Sequence, residues 1–268
     1  MFYNAKNCNI KIGRTDMDYV EFGYGEKSLI MIPGLGDALK SVKGTAFSYS
    51  FMYRIFVKDY KVYVFSRKNQ IEKGYTTRNM AADLATVIKK LGIQKASVFG
   101  VSQGGMIAQY LAIDYPELVE KLVLAVTLCR PNKISSRVLS NWISLADQND
   151  FKGIFVDMAE KIYTPKRAKM QRPFNHVLSA YMKPKSLNNF IIQATACMTH
   201  DSSALIHTIQ CPVLIVGGDE DKVVGENASE EMAELINGSR LKIYKGYGHS
   251  TYEEAKDFNF QVLKFLNA

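Results

Sequence analysis

The stretch Ser97-Val98-Phe99-Gly100-Val101-Ser102-Gln103-Gly104-Gly105 decides the fold. Ser97 to Phe99 reads as a buried strand, and Gln103 to about Tyr115 as a helix, so Gly-x-Ser-x-Gly falls on the corner between them. A corner this tight leaves no room for side chains at Gly100 and Gly104, which would collide with the neighbouring strand and helix. Ser102 is then held proud of the sheet at a helix N-terminus. There the free N–H groups and the positive end of the helix dipole favour a developing oxyanion. A glycine-rich turn with an incidental serine is the bland alternative, and the strand and helix on either side weigh against it.

Outward from this corner the same alternation repeats. Upstream, short strands are expected at Asn9 to Ile12, Asp18 to Phe22 and Ser28 to Ile32, with the turn Gly23-Tyr24-Gly25-Glu26 among them reading as a hairpin. Val62 to Phe65 is a buried-strand candidate, followed by a helix capped by Thr76 or Thr77 that runs through Leu91 and stops at Gly92. Downstream come strands at Leu122 to Val126, Val213 to Val216 and Leu241 to Tyr244. Helices are expected at Ser229 to Ile236 and Glu253 to Leu266. Strands alternating with helices of this length imply a parallel α/β sheet covered by helices on both faces. No internal repeat is present.

The alternation breaks between Pro131 and about Ser203, where helical periodicity persists without a convincing strand. Helices are expected at Ser136 to Gln148, Phe151 to Tyr163, Phe174 to Tyr181 and Leu187 to Met198, punctuated by Pro131, Pro165, Pro173 and Pro184. The segment reads as a helical insertion between two strands, residues 131–203 against a core of 1–130 and 204–268. Its apolar residues Trp142, Phe155, Met158, Phe174, Tyr181, Phe190 and Met198 are assigned to packing, with some lining an acyl pocket.

Composition narrows the function classes. With 47% hydrophobic and 22% charged residues, the 268-residue chain has what a buried core needs and is neither disordered nor low in complexity. No run approaches the roughly 20 apolar residues of a membrane span, and the first residues lack the apolar stretch of a signal peptide. Cys8, Cys129, Cys197 and Cys211 are scattered without metal-ligand spacing, so a reduced cytoplasmic setting is expected, with neither metal nor cofactor. The net charge is +8, and most of the excess lies between Pro131 and Thr199, where ten bases face four acids. The basic run Pro165 to Pro173 lacks interleaved stacking aromatics and reads as the solvated face of a helix, not as a nucleic-acid site.

A serine hydroxyl needs a base, and the base needs an orienting acid. Of the four histidines, His176 falls inside the insertion, while His200 and His207 flank the return to the sheet and read as structural. His249 alone sits in a turn just past the last strand, Gly246-Tyr247-Gly248-His249, from which a side chain reaches over strand ends. The acid is sought in Gly217-Gly218-Asp219-Glu220-Asp221-Lys222-Val223-Val224. Asp221, two positions before the apolar pair, is preferred, with Asp219 the alternative.

GVSQGG at 100–105, GDEDKVV at 218–224 and GYGHS at 246–250, in that order, resemble the α/β-hydrolase superfamily, and the likeness covers essentially the whole chain. The resemblance implies a mostly parallel eight-stranded sheet with helices on both faces and a helical cap inserted after the sixth strand. It also implies a triad of Ser102, Asp221 and His249, with backbone N–H groups of Leu35 and Gln103 as the oxyanion hole. Two departures stand out. Pro33 occupies the place where the family's oxyanion loop usually has histidine, and Gly225 stands where proline often follows the acid's turn. The backbone donors depend on neither side chain.

The expected activity is that of a cofactor-independent serine hydrolase, a carboxylesterase on small to medium acyl esters. C–C bond hydrolysis, lactonase and aminopeptidase activity on the same triad remain alternatives. So does a small-ligand receptor with a retained, slow triad. The expected partner is a small-molecule acyl substrate, with no nucleic acid and no membrane span, and the oligomeric state is not legible.

Overall fold

Apolar side chains at alternate positions put two different faces on each strand, and both faces need cover. In the computed structural model, which describes residues 2–175, 179–180 and 183–268, eight strands form one sheet. They are β1 (Lys6–Ile12), β2 (Thr15–Phe22), β3 (Lys27–Ile32), β4 (Tyr60–Lys68), β5 (Ala96–Val101), β6 (Val119–Ala125), β7 (Val213–Gly218) and β8 (Arg240–Tyr244), in the order β1-β2-β4-β3-β5-β6-β7-β8. β2 runs antiparallel to both its neighbours, and the pairings from β4 to β8 are parallel. The hairpin is therefore β1–β2. β3 is not paired with β2, because β4 lies between them.

The helices named below are α1 (Ala46–Met52), α2 (Thr77–Lys90), α3 (Gln103–Asp114), α4 (Lys133–Asp147), α5 (Phe151–Ile162), α6 (Pro165–Gln171), α7 (Asn188–Met198), α8 (Ala228–Leu235), α9 (Thr251–Glu254) and α10 (Phe258–Asn267). On one sheet face Ile30, Phe65, Val98, Leu122 and Ile215 pack with Leu84 and Ile88 of α2, Ile107 and Leu111 of α3 and Met232 of α8. On the other, Leu29, Val64, Phe99, Val123 and Val216 pack with Ala46 of α1 and with Phe258, Val262 and Phe265 of α10. Thr76 is the cap of α2: its Oγ1 accepts from the Asn79 N–H at 3.1 Å, while Asn79 Oδ1 accepts from the Thr76 N–H at 3.0 Å. Gly92, at φ +72°, lies just beyond the helix's end.

The expected single C-terminal helix is two helices, because Ala255 is extended (φ −77°, ψ 116°) and ends α9. The break lets Phe258 enter the core, its ring centroid 5.9 Å from that of Phe99. α1 was not foreseen. Its inward residues Ala46 and Ser50 are buried, as is Tyr53 at its C-terminal cap, but Phe47 and Phe51 point outward and blur the period.

Between β6 and β7 the described elements are all helices, and α4, α5 and α7 build a third apolar cluster with residues just beyond the C-terminal ends of the strands. Trp142, at its centre, donates its Nε1–H to Asp157 at 2.6 Å and so joins α4 to α5. The segment's two ends meet at a neck where the Ser202 N–H donates to the Cys129 carbonyl at 2.8 Å. Phe174 is 61% exposed at the end of a 3₁₀ turn (Arg172–Phe174), so it takes no part in that packing, contrary to the reading of the sequence. His176 and Tyr181 lie outside the described residues. Among the described residues no helix is long and apolar enough to cross a membrane.

Candidate active site

Ser102 sits between β5 and α3 at φ 54°, ψ −120°, a conformation a non-glycine residue rarely adopts and one that costs about 1–3 kcal/mol. The surroundings hold it there. Its N–H donates to the Ala125 carbonyl at 2.9 Å, and Thr127 Oγ1 donates to its carbonyl at 2.7 Å. A Cβ on Gly100 would overlap the backbone of Gly104 and Gly105, and one on Gly104 would overlap the Ile32 carbonyl. The flanking glycines are thus demanded by backbone contact, as the corner's tightness led one to expect.

His249 Nε2 lies 2.9 Å from Ser102 Oγ, and its Nδ1 lies 2.8 Å from Asp221 Oδ2. Asp221 Oδ1 accepts the N–H groups of Val223 and Val224 at 2.8 and 3.0 Å. The apolar pair that singled out Asp221 in the sequence is therefore the turn whose backbone fixes the carboxylate. Both Asp221 and His249 are about 5% exposed or less, which shields the pair from water. Asp219 is not part of this chain of bonds. Its Oδ1 accepts from the Gly246 N–H at 2.7 Å and braces the turn that carries His249. His200 is buried 2.9 Å from Thr77 Oγ1 and 3.3 Å from Gln109 Oε1, burial pushing its pKa down to about 4, and His207 is exposed.

The loop after β3 runs beside the serine: a Cβ placed on Gly34 would stand 3.3 Å from Ser102 Cβ and 3.8 Å from its Oγ. Leu35 opens the 3₁₀ turn Leu35–Ala38, and Gln103 opens α3, so both backbone N–H groups lie where a helical turn leaves them unpaired. The Gln103 side chain turns inward. Its Nε2 donates to the Gln193 carbonyl at 3.1 Å, and its Oε1 accepts from Arg67 Nη2 at 2.7 Å.

Arg67 also donates to the Pro33 carbonyl at 2.5 Å, while Asp37 accepts from Ser66 Oγ at 2.6 Å and from the Arg67 N–H at 3.1 Å. Burial raises the Asp37 carboxyl's pKa against the pull of Arg67, and burial lowers that of Arg67 against the pull of Asp37. This buried pair behind the loop was missed in the sequence. Its only trace there is a lone arginine at the end of an apolar strand.

A cavity of about 450 Å³ opens onto Ser102 and His249. Leu139, Trp142, Met158 and Ile162 from the insertion and Val223 and Val224 from the core line its apolar side, and Lys40, Ser41, Thr45, Tyr49 and Glu253 line a more polar side. The insertion is tied to the turn that carries His249. Ser250 N–H donates to the Ile162 carbonyl at 2.9 Å, Thr164 Oγ1 donates to Glu254 at 2.8 Å, and Arg167 pairs with Glu253 at 3.1 Å. Among the described residues there is no group of three or more His, Cys, Asp or Glu placed to hold a metal ion.

Comparison with known proteins agrees with this fold. A family model described as alpha/beta hydrolase fold matches residues 27–256. A 2-hydroxy-6-oxononadienedioate/2-hydroxy-6-oxononatrienedioate hydrolase of Klebsiella pneumoniae is 30% identical over 200 residues, which are 68% of this chain and 66% of that protein. The structure is similar to that of MGS-M2, an alpha/beta hydrolase enzyme from a deep-sea metagenome library, with TM-score 0.86, 20% identity and 97% of this chain and 98% of that one covered. The enol-lactonase from Burkholderia xenovorans gives TM-score 0.84 at 18% identity, with 97% and 100% covered.

Proposed function

Because the chain belongs to the alpha/beta hydrolase fold family, we propose that it is a cofactor-independent serine hydrolase, a carboxylesterase acting on small to medium acyl esters through an acyl-enzyme. The observation that carries this reading is the unbroken chain of bonds Ser102 Oγ, His249 and Asp221 at the floor of the cavity. In this reading Asp221 holds the imidazole with its proton on Nδ1, so Nε2 is free to take the Ser102 proton as Oγ attacks the ester carbonyl. The developing oxyanion meets the N–H groups of Leu35 and Gln103, with α3 pointing its positive end at the same spot.

The imidazolium then gives its proton to the leaving alcohol. Water, deprotonated by Nε2, attacks the acyl carbon; the bond to Ser102 Oγ breaks, the imidazolium returns its proton to Oγ and the carboxylic acid leaves. Residues 131–203 act as a cap over the core formed by 1–130 and 204–268, and its apolar side chains receive the acyl group. A volume of about 450 Å³ lies in the range of small-molecule sites and suits a short or medium chain.

Ser102→Ala should lower kcat on a chromogenic acetate ester by at least about three orders of magnitude while leaving the melting temperature unchanged. A fluorophosphonate should label Ser102 in the unaltered chain alone. Retained turnover, or no label, refutes the assignment. An acylation burst followed by negligible steady-state turnover points to a receptor. A lactone, a diketone or an aminopeptidase substrate with kcat/KM tenfold above the best ester would replace the ester reading and leave the nucleophile in place.

A further inference from the structure

α1 presents to water side chains that a surface helix ordinarily buries. Phe47, Phe51 and Met52 are 64%, 52% and 51% exposed, and Ile55, just beyond the helix, is 37% exposed. Phe2 stands beside them, its ring centroid 5.4 Å from that of Phe47. The opposite side of the helix, with Ala46 and Ser50, is buried against the sheet, so the bulky apolar side chains of α1 are on the side left uncovered.

Along the chain on either side of α1 the charge has one sign, and Glu253 is an exposed acid at the edge of the patch, among the walls of the cavity that Met52 lines. Lys40, Lys43, Arg54 and Lys58 are all exposed, and no acid occurs from Ala38 to Lys58. The Arg54 guanidinium lies 4.7 Å from the centre of the Phe51 ring, so cation and ring project together. A second cavity, of about 220 Å³, adjoins the patch. Exposed Ser48 and Met52 and buried Val64 and Phe99 are among its walls, and it shares Pro33, Gly34, Thr45 and Tyr49 with the cavity at Ser102.

We infer that this face docks on an anionic lipid surface, Phe47, Phe51 and Met52 entering the boundary between headgroups and acyl chains while the four cations meet lipid phosphates. Exposed bulky apolar side chains with Lys and Arg close by in the chain, one of them, Arg54, stacked on Phe51, are what such a surface takes up. Phe47 and Phe51 project outward from the helix and line neither cavity, which suits a fluid surface that moulds around them. A second copy of this chain on the same face would set these cations against their own counterparts. Acyl chains then reach Ser102 by way of the adjoining cavity, a step that rests on the hydrolase reading above. The docking itself does not.

The test is co-sedimentation with vesicles of phosphatidylcholine alone and of phosphatidylcholine mixed equally with phosphatidylglycerol, at low and at high salt. The unaltered protein should partition at least tenfold better onto the mixed vesicles, and high salt should erase the difference. Each cation contributes about fivefold near such a surface, so Lys43→Gln/Arg54→Gln/Lys58→Gln should lose about a hundredfold. Phe47→Ser/Phe51→Ser should lose at least tenfold while keeping its melting temperature and its rate on a soluble acetate ester.

Equal partition onto both vesicle types, or unchanged partition in either variant, overturns the docking. A concentration-dependent dimer that Phe47→Ser/Phe51→Ser disperses overturns it in favour of self-association. Vesicle binding retained alongside full turnover in Ser102→Ala would leave the docking standing and remove the hydrolase reading.

Discussion

Replacing Asp221 by asparagine exchanges one oxygen for an NH₂ group and should nearly abolish turnover, and the geometry says why. Asp221 Oδ1 accepts two backbone N–H groups, from Val223 and Val224, and Oδ2 faces His249 Nδ1. An asparagine has one oxygen to offer. With that oxygen on the two backbone donors, its NH₂ faces Nδ1, and Nδ1 becomes the acceptor. The imidazole proton then moves to Nε2, which donates to Ser102 Oγ and no longer removes a proton from it. Flipping the amide instead would press its NH₂ against two N–H donors, losing two bonds in a buried turn, each worth about 1 kcal/mol or more.

The wrong tautomer lowers kcat by about 10³ to 10⁴, equivalent to about 4–5 kcal/mol of barrier. The assay is kcat and kcat/KM on a chromogenic ester from pH 6 to 9, with Asp219→Asn in parallel. Asp219 only braces the Gly246 N–H, and its loss should cost less than tenfold. If Asp221→Asn keeps more than a tenth of the activity, or the ranking of the two variants is reversed, the reasoning fails and the acid is elsewhere.

Stability should depend on pH through His200. Burial lowers its folded pKa to about 4 from an ordinary 6.5, so the unfolded chain binds the extra proton between those values and stability falls as pH falls. From pH 7 to pH 4 the loss from this group is about 3 kcal/mol, read as a drop in urea midpoint that His200→Gln should not share; equal drops in both proteins would refute it. Gly225→Pro, the residue the family often carries there, should destabilise the chain by more than about 1 kcal/mol, because Gly225 has φ +90° and proline is fixed near −65°. An unchanged melting temperature would contradict this. Arg167 and Arg172 of the insertion are paired with Glu253 and Glu160, so a neutral acetate ester should beat its carboxylate analogue in kcat/KM at physiological salt. A tenfold preference for the carboxylate that collapses in high salt would show an unpaired positive field at the mouth.

What the sequence made legible follows from how local each requirement is. The corner at Ser102 leaves a mark because Gly100 and Gly104 answer to backbone atoms within a few residues or on the adjacent strand. Asp221 was readable because the two N–H groups that hold it come two and three positions later. The pair Asp37 and Arg67 was not, since thirty positions separate the two and only tertiary folding joins them to Pro33 and Gln103. α1 escaped because its outward residues are as apolar as its inward ones, which removes the contrast that reveals a helix. The break at Ala255 was hidden for another reason. Alanine is the best helix former, and it is the demand of the core for Phe258 that overrides its preference.

The neck where Ser202 bonds to the Cys129 carbonyl has a consequence for descent with modification. The chain leaves the sheet after β6 and rejoins it at the neighbouring strand, β7, passing both times through that one gate. Whatever lies beyond the gate can lengthen, shrink or be traded for another segment without shifting the register of a single strand pair. In the hydrolase reading proposed above, a lineage carrying this architecture is free to try new substrate walls over an inherited serine corner, provided that the bonds from Ile162, Thr164 and Arg167 to the turn carrying His249 are replaced.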